Sequence, residues 1–378
     1  MVYITILISI LNIYVYNYKS FFKENIYINF STAIAIVYII SISWSENWLE
    51  GMKFMQNKHV LLIIPILLLP TTVPNRRKII TYFSYSLLLS TGIIFFLNNL
   101  SDTMLVNLTN KFYNILNPYI PYNKELFGIY SPFIERIQWG NLLGIAWILN
   151  FYMVLQQQKI RQIFILLLLT MIILYSGSRG TWVGILAVIV TSIILLPSSL
   201  KIKMTYTILF VSVLVVVYKL PSVHKRILQA KYEYKMVFQE NNTKDIENYS
   251  SIRRWISWQN SFLLIKKNKI LGTGIGDYKS SYYNIYRSQP QYNLPVNNHS
   301  QWLHILGSTG IVGCISVIIG LLIGLVYSKQ KKLYIMISVF YSTVFIFDAI
   351  LLQTTDCILF ALMYSALLYD HKPEHTTP

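Results

Sequence analysis

An all-α polytopic membrane protein is the fold this sequence predicts, and three observations carry the expectation. Long apolar runs recur along the chain, many near the length that crosses about 30 Å of hydrocarbon. Charged residues fill only 12% of the 378 positions, against roughly a quarter in a soluble domain. Tyrosine, present 29 times, gathers near the ends of the runs, where an amphipathic ring suits the headgroup region.

Taken in order, the expected spans are 2–16, 26–44, 60–73, 79–97, 139–155, 162–176, 181–197, 204–220, 301–327, 333–351 and 356–369. They make a helical bundle of about 11–12 crossings by the ~20-residue criterion. The first run has no basic residue ahead of it and no small-residue cleavage site, so it reads as a retained helix rather than a removed signal. Residues 1–220 form an N-terminal transmembrane bundle, 221–300 a large loop region, and 301–378 the C-terminal transmembrane helices with a tail. Cys314 and Cys357 both fall in apolar runs, so no disulfide framework is implied.

Orientation follows from the short connections. Lys19 with Lys23, Arg76-Arg77-Lys78, Lys159 with Arg161, Lys201 with Lys203, and Lys329 with Lys331 and Lys332 fall on alternate connections. The positive-inside rule assigns them all to the cytoplasm. The outer face then receives 45–59, 98–138, the tight turn Ser176-Gly177-Ser178-Arg179-Gly180, the long 221–300 segment and a turn near Thr354. That places the N-terminus outside and the C-terminus inside. A formal net charge of +17 is explained first by loops drawn to anionic lipid and second by a phosphate-bearing substrate, with no nucleic acid required.

The long outer segment is not a bare linker. Trp255, Trp258, Phe262 and Ile265 recur at helical spacing, which predicts an amphipathic helix able to lie on the membrane or pack on the bundle. Gly272-Thr273-Gly274-Ile275-Gly276 marks a turn after that helix. It lacks the Lys-Ser/Thr ending of a phosphate loop and follows a helix, which excludes that nucleotide motif.

Three features on this face could carry chemistry. Arg179 stands alone between two apolar runs. It is either a snorkelling arginine or an oxyanion anchor, since a guanidinium offers a planar fork of donors. Arg253 and Arg254 open the amphipathic helix, as a solvated or lipid-facing charge or as part of a site. His299, between Asn298 and Ser300 just before a span, is either a hydrogen-bonded structural residue or a general base for a hydroxyl. His304 has no cysteine or carboxylate nearby, and Asp277 and Glu46 read as isolated. No metal site and no cofactor are expected.

In sequence order, Ser178-Arg179-Gly180, Ser251-Ile252-Arg253-Arg254 with Trp258, Leu271-Gly272-Thr273-Gly274, and Asn298-His299-Ser300-Gln301 followed by Gly307 through Gly313 resemble the O-antigen ligase and O-antigen polymerase superfamily. The resemblance covers residues 130 to 330. It implies an all-helical membrane fold like that of C-type glycosyltransferases, with a large periplasmic loop containing helices. It also implies glycan transfer at the periplasmic face of a bacterial inner membrane, from an undecaprenyl-pyrophosphate-linked donor to a lipid A-core or glycan acceptor hydroxyl. By the same resemblance, neither metal nor nucleotide sugar is expected to take part. Arg179 and one of Arg253 and Arg254 would hold the pyrophosphate, Arg254 fitting the spacing better, and His299 would handle the acceptor hydroxyl. Lys269 departs from the proline often found there. The expected activity is that of a ligase, the alternative a polymerase of lipid-linked repeat units. A lipid-linked sugar transporter is remoter, because transporters favour charged spans and internal repeats.

Overall fold

The computed structural model describes residues 29–68, 76–98, 136–157, 160–176, 178–195, 227–228, 231–235, 250–287, 298–328 and 330–368, and every regular element among them is helical. The expected spans 2–16 and 204–220 and most of the 98–138 segment lie outside the described residues. The helices are α1 (Phe30–Ser41), α2 (Trp48–Gln56), α3 (Val60–Leu68), α4 (Arg76–Asn98), α5 (Arg136–Gln157) and α6 (Ile160–Ser176). They continue with α7 (Arg179–Leu195), α8 (Ser250–Lys267), α9 (Ile275–Arg287), α10 (Gln301–Tyr327), α11 (Lys331–Phe347) and α12 (Thr354–Leu368). Single 3₁₀ turns at Ile42–Trp44 and Ile350–Leu352 follow α1 and α11.

Each expected span that falls on described residues is a helix, with ends shifted by a few residues. Among the described residues, α10 is the helix both long and apolar enough to cross a membrane unaided, and Phe30–Trp44, Ile160–Leu174 and Arg179–Leu195 are shorter apolar helices. α5 has the length, but Asn141, Asn150 and a glutamine-rich end lower its hydropathy.

The chain divides into two compact units. The first comprises Met1–Pro74, Glu233–Ser338 and Phe345–Pro378. In it α10 packs along α1, α12 along α3, α9 against α2, and α8 against both α9 and α10. Asn29 starts α1 with a reciprocal cap: its Oδ1 accepts from Thr32 N at 3.0 Å, and Thr32 Oγ1 accepts from Asn29 N at 2.8 Å. The next residue, Phe30, is wholly buried and meets Trp302, Phe345, Phe360 and Tyr364 at centroid distances of 5.3–6.0 Å. Such aromatic pairs add to area burial, and this cluster ties α1, α10, α11 and α12 together.

The second unit comprises Asn75–Tyr232 and Val339–Val344. Here α5 is central, packed by α4, α6 and α7, with Leu143, Ile145, Ala146 and Ile148 fully buried. Its polar groups are spent across helices: Asn150 Nδ2 donates to Ser84 Oγ at 2.6 Å, and Trp147 Nε1 donates to Thr170 Oγ1 at 2.8 Å. Small residues let the backbones close, since a Cβ at Gly140 would come within 2.5 Å of Ser178.

Several outward faces are as apolar as the inward ones. On α6, Phe164, Leu167 and Met171 are exposed while Ile165, Leu169 and Ile173 are buried. On α10, Ile311, Ile315, Ile318, Leu322 and Val326 are exposed, and the opposite stripe Gly313, Val317, Gly320 and Gly324 is buried. On α10 the glycines inside and aliphatic residues outside make the pattern of a helix packed in lipid.

The amphipathic helix forms as α8, and its bundle-facing stripe is not the aromatic one. Ile252, Ile256 and Leu264, with Ser257, Asn260 and Ser261, are buried, while Trp255 and Phe262 are exposed. The glycine turn that follows is fixed by a break in α10. Gly310 has φ 67° inside α10, which interrupts the helical ladder. The segment 269–274 takes up the freed groups: Thr273 N and Gly274 N donate to Gly307 O and Ser308 O, at 3.0 and 2.9 Å, while Ile311 N donates to Lys269 O at 2.9 Å. Gly272, at φ 69°, is required there because a Cβ would sit 2.5 Å from the Ser308 carbonyl carbon.

Candidate functional site

The site is built around the mouth of α10. Asn298, Ser300 and Gln301 are all nearly inaccessible, and each is anchored. Asn298 Nδ2 donates to Tyr278 OH of α9 at 2.8 Å. Ser300 caps α10, its Oγ accepting from Leu303 N and donating to Phe345 O at 3.1 Å. Gln301 donates to Tyr38 OH at 2.9 Å and accepts from Leu351 N at 3.0 Å. Three of the four motif residues are therefore scaffold.

His299 is the exception. It is half-buried, makes no hydrogen bond to the described residues, and has φ 49°. Among the described residues it is the sole non-glycine with positive φ, a conformation costing on the order of 1 kcal/mol or more that persists where the surroundings over-determine it. The anchors on either side hold the backbone of His299 in that strained conformation. Burial first, then the charges of Arg254 and Arg253, push its pKa down to about 4. The ring is thus neutral near pH 7 and able to accept a proton.

Both arginines lie near the start of α8, which packs against α10. Arg254 Nη2 donates to Asp348 Oδ1 at 2.8 Å, with the carboxylate nearly buried. A guanidinium has five donor hydrogens, so one bond to Asp348 orients the group and leaves further donors for an anion. Arg253 is half-buried, and its guanidinium has no ion-pair partner among the described residues. Two cations and one neutral imidazole thus stand near one another, an arrangement suited to an anionic leaving group beside a hydroxyl losing its proton.

Arg179 belongs to the second unit, where it opens α7 and is half-buried. The turn before it is packed: Ser178 is buried, its Oγ lies 2.9 Å from Thr181 Oγ1, and Trp182 Nε1 donates to Ile173 O at 2.7 Å. The arginine is therefore presented at the start of α7, next to the buried Ser178.

One sequence expectation changes. Asp277 is not isolated: its carboxylate accepts from Glu46 N at 2.6 Å and Asn47 N at 2.9 Å, joining the approach to α2 to α9. His304 is a core residue, with Nδ1 2.9 Å from Tyr38 OH and its ring stacked on Phe54. The residue that sequence reasoning left without a role is Asp348, an acidic residue near a span end. A carboxylate in an apolar run is costly unless paired, and that cost was the available sign of a cationic partner. Among the described residues no group of three or more His, Cys, Asp or Glu could hold a metal ion.

Residues 164–318 match the family model described as O-antigen ligase. The matched stretch contains Arg179, Arg253, Arg254 and His299, so the resemblance carried by those motifs stands. An uncharacterized protein of Haemophilus influenzae is 25% identical over 295 residues, which cover 74% of this chain and 67% of that protein.

Proposed function

We propose, on the premise of this O-antigen ligase match, that the chain is a multi-pass inner-membrane glycan transferase with its chemistry on the periplasmic side. The donor is a glycan on undecaprenyl pyrophosphate and the acceptor a hydroxyl of lipid A-core, which makes it an O-antigen ligase. The observation that carries the reading is the held, neutral His299 beside Arg253 and Arg254. The apolar outer faces of α6 and α10 support embedding in lipid.

In the proposed step His299 takes the proton of the acceptor hydroxyl as that oxygen bonds to the anomeric carbon. The bond from that carbon to the pyrophosphate oxygen breaks, and undecaprenyl pyrophosphate leaves with the electron pair. Arg254, oriented by Asp348, and Arg253 stabilise the charge that develops on the leaving oxygen, where preorganised donors are worth most. Arg179 is assigned to the same pyrophosphate on its sequence motif. The test of that role is Arg179→Lys, which keeps the charge and loses the fork. Activity nearly as low as Arg179→Ala supports the clamp, and full activity removes Arg179 from the mechanism.

The lipopolysaccharide gel of a deletion strain tests the function as a whole. Loss of all polymer from lipid A-core, with lipid-linked polymer accumulating, is the expected result. A single repeat unit on the core assigns the chain to polymerisation instead, and an unchanged ladder overturns both.

A further inference from the structure

Between α2 and α9 lies a cavity of about 550 Å³, within the ~300–1,000 Å³ typical of small-molecule sites. Its walls come from two short helices on the face that the charge pattern places outside. α9 is two-sided. Tyr278, Tyr282, Ile285 and Tyr286 are buried, while Lys279, Tyr283 and Arg287, at i, i+4 and i+8, and Ser280 with Asn284, at i and i+4, line the cavity. From α2 and its ends come Glu50, Lys53, Phe54 and Asn57.

We propose that this groove binds an acidic oligosaccharide. Lys53, Lys279 and Arg287 against Glu50 leave a net charge of +2, which favours an anionic ligand. A bare phosphate does not account for the rest. Tyr283 offers a ring face for the apolar side of a sugar, with Arg287 stacked 5.3 Å from its centroid. The amides of Asn57 and Asn284 and the carboxylate of Glu50 provide the paired donors and acceptors that hydroxyls need. Lys53 holds Glu50 at 2.7 Å, so the carboxylate stays charged and placed.

The groove is a built feature. Asp277 takes the amides of Glu46 and Asn47, and Gly276 N donates to Ser45 Oγ at 3.1 Å. The start of α2 is thereby fastened to the start of α9. On the buried side of α9, Tyr278 accepts from Asn298, so the helix that lines the groove also anchors the neighbour of His299. The groove is then a subsite for the glycan being transferred or accepted, a role that rests on the transferase reading. Saccharide binding itself does not.

The test is titration calorimetry on the purified full chain in phosphatidylcholine nanodiscs, with trigalacturonate and neutral maltotriose as probes. Trigalacturonate should saturate one site at least tenfold more tightly than maltotriose, and added salt should weaken it. Tyr283→Ala and Arg287→Ala should each weaken it tenfold or more, and Lys279→Glu should abolish it. Lys279 and Arg287 are exposed, so those two variants leave packing intact. No saturable binding, equal binding of maltotriose, or wild-type binding by Lys279→Glu overturns the proposal. His299→Gln should bind trigalacturonate as wild type does, so failure of the transferase reading leaves this result standing and the two failures are separable.

Discussion

At the scale of single residues, the feature that matters most is a histidine kept neutral. A free imidazole titrates near 6.5, and His299 is pushed down to about 4 by burial and two arginines. The base form is the neutral one, so transfer should hold its rate as pH falls through 6 and lose it only towards pH 4. A kcat/KM profile with its acid limb near 6.5 would contradict that. Arg253→Gln removes one of the depressing cations and should move the limb upward. His299→Gln should lower transfer by about 10²–10⁴ while insertion is unchanged, and near-normal transfer by that variant would remove the base from the mechanism. Arg254 needs a different comparison. Its loss strips the nearly buried Asp348 of an ion pair, at a cost of order ~3 kcal/mol, so a fall in activity of Arg254→Ala mixes folding with binding. In the double variant Arg254→Gln/Asp348→Asn the buried charge is gone. Thermal unfolding should recover relative to Arg254→Gln, while transfer stays low if the guanidinium serves the substrate.

At the scale of elements, the short helices of the outer face depend on single polar fastenings. Asp277 accepts two main-chain N–H groups across 230 positions of sequence, and charge-assisted bonds of this kind contribute about 1.5–3 kcal/mol when shielded. Asp277 is half-buried, so Asp277→Ala should cost less, roughly 1 kcal/mol. Its effect should appear as faster proteolysis between Ser45 and Asn57, with cleavage elsewhere unchanged; uniform cleavage would mean the fastening is not local. This is also where sequence reading stopped. Helical spacing gave α8 its existence, because Trp255, Trp258, Phe262 and Ile265 recur at the right interval, and apolar runs gave α10 to the residue. Which face of α8 turned inward could not be read, because Ser257, Asn260 and Ser261 are small polar residues that only their partners make core. Nor could the pairings of Asp277 with Glu46 or of Arg254 with Asp348, which join residues distant in sequence and follow no period.

At the scale of the whole molecule, orientation is the property that decides whether the chemistry reaches its substrate. The charge pattern puts α2, α8 and α9 outside and the Lys331–Lys332 end of α11 inside. In intact cells Ser280→Cys should react with a membrane-impermeant maleimide, whereas Lys332→Cys should react only after permeabilisation. The native Cys357 is buried and Cys314 only half-buried, so both are replaced by alanine first. The reverse pattern would invert the topology and place His299 away from any periplasmic acceptor. The order of motifs made the resemblance legible from sequence, and Arg179, Arg254 and His299 all fall within the matched stretch.

The break in α10 has a consequence in time. Amides released by Gly310 would normally exchange fast with solvent deuterium, yet Ile311 and Val312 donate to Lys269 and Ile270, and Thr273 and Gly274 donate back to Gly307 and Ser308. Two stretches almost forty positions apart therefore share one set of protecting bonds and should open as one cooperative unit. Peptides covering 269–274 and 307–312 should take up deuterium with matched kinetics. A Cβ at position 310 meets Ile270 backbone, so Gly310→Ala should accelerate both together, and acceleration of only one would mean that the two stretches open independently.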